Sequence, residues 1–385
     1  MKSKYTLLLS LFFVAVPAAA QDDATAAWEQ AKGLLKQMSF RKKSLDPAYA
    51  MQPNLKWTAT VGASGLSLGA DLHSDILLTD YLESGTRVIN ATLETGMKRR
   101  LYKKVMFGIS YGDLGLNLGF EVGKLSPKRN TYFNFGTAGS YYGARIQYYK
   151  THEFVEGMLR FENDEFSPIK LTSENPCQAR DLTIDGFYAF NRHKFVYTAT
   201  YEGRIIQRRS VGSWMVAAKY LQGDFTLNDD VQASLLNQLN RYSTKQTLVG
   251  AGYSYNWVAI HRDPRDQKTW KGLQNLTVNV TAVPMISLFN DLYTNKGSGK
   301  SKTRTHYSGR PAFSPTLRAG ICYAWDRYYV TFQASYNRFG FHGADTLSES
   351  YVKTDSGEEY RQQRKVSTRG AFFDLTSKVQ LNVRF

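Results

Sequence analysis

Apolar and polar residues alternate one by one along most of the chain. In residues 371–385, Ala371, Phe373, Leu375, Ser377, Val379, Leu381, Val383 and Phe385 form one face. Asp374, Thr376, Lys378, Gln380, Asn382 and Arg384 form the other, with Phe372 out of place. A period of two belongs to a strand, because successive Cβ atoms point to opposite sides of the pleat. The pattern recurs with Leu55, Trp57, Ala59, Val61 and Ala63, with Val105, Phe107, Ile109 and Tyr111, and with Leu114, Leu116, Leu118 and Phe120. It continues through Phe195–Tyr201, Trp214–Tyr220, Val249–Trp257, Leu276–Ala282, Leu317–Trp325 and Tyr328–Tyr336, while 131–137 and 142–149 form a weaker pair. The count is about fourteen strands, or twelve if two weak candidates merge with their neighbours.

The N-terminus is different. Lys2 and Lys4, an apolar run from Leu7 to Val16 and Ala18-Ala19-Ala20 make a secretory signal peptide over 1–20. The run is too short to span a bilayer as a helix, which takes roughly 20 residues. Residues 21–52 form a periplasmic leader, with Trp28, Ala31, Leu35 and Met38 spaced as a short amphipathic helix. It is read as a leader packed on the rim, or as a plug. An exported chain whose only long apolar pattern alternates predicts an all-β transmembrane antiparallel barrel over 53–385, placed in the outer membrane. Trp57, Tyr111, Tyr220, Trp257, Trp325 and Tyr336 fall at the ends of apolar faces, as interfacial girdles require.

The chain ends on Phe385. That resembles the C-terminal insertion signal of bacterial outer-membrane barrels, and makes the insertion machinery a partner. Phe385→Lys is therefore expected to lower the amount of folded, heat-modifiable protein in the outer-membrane fraction; unchanged levels would refute the assignment. With both termini periplasmic, 222–245, 287–312 and 340–369 read as external loops, and Asp326-Arg327 as a tight periplasmic turn. The acidic stretch 151–179 then falls on the wrong side, which signals one miscounted strand.

Composition adds partners more than fold. The net charge of +16 comes with no nucleic-acid motif, so the expected partner is anionic lipid, in particular phosphorylated lipopolysaccharide. Two cysteines, Cys177 and Cys322, make no disulfide framework. The run from Lys194 to Trp214, together with Gly250-Ala-Gly-Tyr-Ser-Tyr-Asn-Trp257 and Asp46-Pro-Ala-Tyr49, resembles a domain-of-unknown-function family of outer-membrane barrels of diderm bacteria. The resemblance implies fold and location and brings no site with it.

Candidate chemistry is sparse. The six histidines read as turn or loop residues without metal-ligand spacing. Asp71-x-His73-x-Asp75, with Asp229-Asp230 as a second pair, is the one trace of a hydrolase, a distant alternative. The main expectation is a chain with no catalysis and no cofactor. The inward registers carry Lys56, Glu94, Glu121, Arg145, Asp185, Glu202, Arg204, Lys219, Arg318, Asp374, Lys378 and Arg384. Such charges either line a wet pore for small polar or amphipathic solutes, or pair with one another in a non-conducting structural or surface-interaction barrel. For an open pore, the seven basic against five acidic residues predict a weak anion preference.

Overall fold

A computed structural model describes residues 45–52, 57–97, 101–111, 114–123, 131–138, 141–162, 167–203, 205–227, 239–266, 268–296, 303–308, 311–353 and 359–385. The chain divides into two units, 1–44 and 45–385. The first lies outside the described residues, and with it the predicted signal peptide and the predicted helix. Of the leader, 45–52 is described: a turn and a short strand.

In chain order the strands are β1 (Ala50–Met51), β2 (Trp57–Leu82), β3 (Gly85–Met97), β4 (Tyr102–Tyr111), β5 (Leu114–Glu121) and β6 (Thr131–Ala138). Then come β7 (Tyr142–Glu153), β8 (Val155–Phe161), β9 (Ile169–Thr172), β10 (Cys177–Ala189), β11 (Ile206–Gln207) and β12 (Val211–Thr226). The last are β13 (Leu239–Arg262), β14 (Gln274–Val283), β15 (Met285–Lys296), β16 (Thr303–Ser308), β17 (Thr316–Trp325), β18 (Tyr328–Lys353) and β19 (Glu359–Arg384). Seventeen of these share one curled antiparallel sheet, and β1 pairs with β11 apart from it. The weak pair 131–137 and 142–149 is two strands, β6 and β7.

Neighbour follows neighbour as β2–β4–β5–β6–β7–β10–β12–β13–β14–β17–β18–β19, and β19 pairs with β2. The longest strands carry two partners each. β2 faces β4 over 57–66 and β3 over 71–82. β13 faces β14 over 253–262 and β15 over 239–250. Pro284 stands between β14 and β15, where its missing N–H interrupts the ladder.

One continuous strand shows how the faces are built. On β19, Leu375, Val379, Leu381 and Phe385 are exposed while Asp374, Thr376, Gln380, Asn382 and Arg384 are buried. Further back along the same strand, Val366 and Phe372 are buried while Lys365 and Arg369 are exposed. The sheet therefore inverts its polarity partway along, near Gly370. β2 inverts opposite it: Trp57 and Val61 are exposed, then Leu66, Ala70, Leu72 and Ile76 are buried. β12 changes near Tyr220, β13 near Val249 and β18 near Tyr336, with Arg338 the first polar outer residue of β18. In the first zone the contrast is sharp, with Val280 60 % exposed beside Thr281 at 2 %. In the second zone Leu72, Leu93, Leu221, Phe225, Leu248, Phe339 and Phe372 belong to one buried apolar cluster.

That inversion corrects the loop assignments. Residues read as loops in 222–245, 287–312 and 340–369 largely continue the strands, and β18 and β19 stay paired as far as Lys353↔Glu359. An outward apolar row stops at the inversion, but the strand does not. Likewise the stretch 151–179 holds the end of β7, all of β8 and β9, and the start of β10.

Candidate functional site: a polar chamber

The predicted strand Phe195–Tyr201 is not in the sheet. The described residues of 190–210, between β10 and β12, fold back against the buried face instead. They make a turn, a single 3₁₀ turn at Tyr197–Ala199, a reversal at Gly203, and then β11. Phe195, Val196, Thr198, Thr200 and Gln207 are fully buried. An irregular backbone buried this way needs outside partners for its polar groups. The polar face of the sheet supplies them. Asn256 on β13 donates to the Val196 carbonyl (2.7 Å), and Asn275 on β14 to that of Gln207 (2.8 Å). Gln333 on β18 donates to the Tyr201 carbonyl, and Arg384 on β19 to that of Gly203. Tyr201 donates to Asn279 (2.6 Å), and Arg318 on β17 to the Tyr197 hydroxyl (3.0 Å). Gly203 has φ 59°, and a Cβ there would lie 2.4 Å from the Tyr329 ring, so only glycine fits this reversal.

The described part of the leader closes over this insertion. Ala50 and Met51 pair with Gln207 and Ile206, and Leu45 and Ala50 pack with Val196, Ala199 and Ile205. Arg208 ties the base, bonding to the Pro47 carbonyl (2.6 Å), His261 and Asp263. Burial works against the Asp263 carboxylate, but the hydrogen bonds from Arg208 and His261 outweigh it and hold its pKa below the ordinary value.

Beyond the insertion lies a chamber of about 160 Å³, lined by Arg145, Asp185, Tyr197, Tyr201, Glu202, Arg318, Gln333 and Lys378 among others. Asp185 is bracketed by Arg145 (Nη2 to Oδ1, 2.8 Å) and Arg318 (Nη2 to Oδ2, 3.3 Å). Beside it, Lys219 donates to Thr316 (2.9 Å) and Asn337 (2.8 Å), and Asn337 donates to both oxygens of Asp374. Buried charges held this way are compensated by partner and geometry together.

The sequence candidates divide as follows. Arg145, Asp185, Glu202, Arg318 and Lys378 line the chamber, while Lys219, Asp374 and Arg384 are buried around it. Glu121 shares a rung with Lys104, a buried lysine that the alternation did not single out because its strand was counted from Val105. Glu94 is a correction. It faces outward beyond the inversion, half-exposed, near His73 (3.7 Å) and Arg160 (4.0 Å). Lys56, Arg204 and Asp229-Asp230 lie outside the described residues.

Asp71, His73 and Asp75 are also corrected: they lie on β2, not in a loop, with His73 3.1 Å from Asp75. His152, His261, His306 and His342 lie on strands too, since these strands outrun their apolar rows. Among the described residues no cluster of three or more His, Cys, Asp or Glu could hold a metal ion. Cys177 and Cys322 are both buried, and they are not joined in a disulfide.

A family model described as a domain of unknown function (DUF4421) matches residues 101–355. The chain belongs to this family. The match runs from the start of β4 to the end of β18 and includes the inserted segment, which bears out the resemblance drawn from the sequence. Comparison with curated proteins gives no match. Similar solved structures include the outer-membrane protease OmpT from Escherichia coli, at 10% identity and TM-score 0.38, covering 89% of this chain and 100% of that one. A Pseudomonas aeruginosa FadL homologue (11% identity, TM-score 0.18) and the P. putida toluene transporter TodX (10%, 0.17) each cover 84% of this chain and 90% of their own. The expectation of a chain without catalysis is corrected by the first of these, because a protease stands among the structures it resembles. At such TM-scores the likenesses assign no activity to this chain.

Proposed function

We propose that the chain is a twelve-stranded outer-membrane β-barrel, closed to ion flow, that works through the surface it holds outside the membrane. The succession of pairings from β2 round to β19 and back supports closure, with β3, β8, β9, β15 and β16 extending or flanking the twelve. Closure leaves no unpaired backbone edge in hydrocarbon. The exposed apolar zone supports lipid contact: on β18 it runs from Tyr328 to Tyr336, close to the roughly 9–11 residues of a spanning strand. Exposed Trp57, Trp257, Tyr323 and Tyr328 suit the girdle at one interface. Beyond the inversion, the polar outer face suits water and the phosphates of lipopolysaccharide.

The observation that carries the closed reading is the filled interior. The inserted segment occupies one level, and the apolar cluster around Leu221, Phe225, Leu248 and Phe339 occupies another. Replacing 194–204 with a short Gly-Ser linker removes the first barrier and leaves the second. In planar bilayers neither the intact protein nor this variant is expected to give unitary conductance steps. Steps from the intact protein would sink the proposal; steps from the variant alone would make the segment a gate.

A further inference from the structure

We propose that the chamber binds a small oxyanion, a carboxylate or phosphate group, against Lys378. Three cations, Arg145, Arg318 and Lys378, share its wall with two acids, Asp185 and Glu202. Asp185 is already engaged by both arginines. Lys378 makes no hydrogen bond or salt bridge among the described residues. Arg145, Arg318 and Lys104 repel it, and Glu202 attracts it. Arg318 also keeps its Nε without an acceptor among the described residues. A half-buried ammonium that shares a chamber wall with two guanidinium groups, beside free volume, is a place where an anion gains charge-assisted hydrogen bonds.

Space and neighbours fit the same ligand class. The chamber exceeds the roughly 10–15 Å³ that a single water needs, so an oxyanion with companion waters has room. Gln333 and Gln380 add polar groups to the same wall. Glu202 sits on the inserted segment, directly after the 3₁₀ turn, and brings a carboxylate from the chain into the cationic cluster. It acts as the built-in competitor, so a diffusible oxyanion binds by taking over part of its role. None of this depends on whether the interior conducts.

The test is calorimetric titration of the refolded full chain in detergent with inorganic phosphate at constant ionic strength, and with acetate in parallel. The parent is expected to show one saturable site. Lys378→Met should weaken it at least tenfold, Lys378→Arg should retain it, and Glu202→Gln should tighten it. Because Lys378 holds no hydrogen bond, its replacement should leave heat-modifiable migration intact, which is checked alongside. Saturation by phosphate alone names a phosphate group, and saturation by both names oxyanions generally. No saturable binding of either anion, or equal affinity in parent and Lys378→Met, overturns the site.

Discussion

Asp185→Asn is expected to destabilise the folded protein by about 3 kcal/mol, the low end for removing one partner of a buried ion pair. The substitution keeps the shape and removes the charge. Arg145 bonds one carboxylate oxygen through Nε (2.9 Å) and Nη2 (2.8 Å) and Arg318 the other (3.3 Å), so the amide leaves one arginine facing an NH2 group and both without a counter-charge. Two guanidinium groups would face each other across a neutral amide, with Lys219 of β12 on the same rung. The low end applies because the chamber is polar and has room for water to solvate part of the orphaned charge. Urea titration of the folded, heat-modifiable form measures the loss. A cost under about 1 kcal/mol, the size of an exposed pair, would mean that water already screens the site. Adding Arg145→Gln to Asp185→Asn should recover part of the loss, since coupled neighbours are non-additive.

The sheet was legible in the sequence wherever one outward row stayed apolar, as from Phe373 to Phe385 and from Tyr328 to Tyr336. It was not legible beyond the inversion. There the period of two persists, but the apolar side changes face, so Arg338 or Arg369 looks like the start of a loop. Glu94 was misplaced for the same reason, because its register was carried across a change of sign. The segment from Phe195 to Tyr201 alternates as well as any strand does. Alternation reports two unlike faces, and an inserted segment between aromatic packing and a polar wall also has two. The signals against a strand were Gly203 and the parity conflict at 151–179. The chamber's charges were visible one by one, but their convergence was not. Asp185 meets Arg145 through a neighbouring strand and Arg318 from across the interior, and only pairing order supplies that. Lys104 was missed because its strand's apolar row begins one residue later.

Val379→Lys is expected to cost about 2–4 kcal/mol, the penalty of a lysine on the lipid face near the bilayer midplane. Val379 lies midway along the outward row of β19 between Phe373 and Phe385. It is half-exposed, on a rung with Phe332 of β18 and Ala63 of β2. A lysine there has no acid beside it and no water within easy reach. Ser367→Lys, on the same strand and the same face, supplies the contrast. Ser367 lies beyond the inversion, on a rung between Asp345 and Asp75. A lysine between two carboxylates in water is expected to change stability by no more than about 0.5 kcal/mol, the usual range for surface substitutions. The pair therefore compares one residue type on one strand, with only the surrounding medium different. Equilibrium folding from urea into lipid vesicles measures both. If the row from Phe373 to Phe385 faced water, Val379→Lys would be as mild as Ser367→Lys. Equal, small costs would thus remove the lipid-facing zone from the reading, while a large cost for Val379→Lys alone places the edge of the hydrocarbon between the two positions, at the level of Gly370.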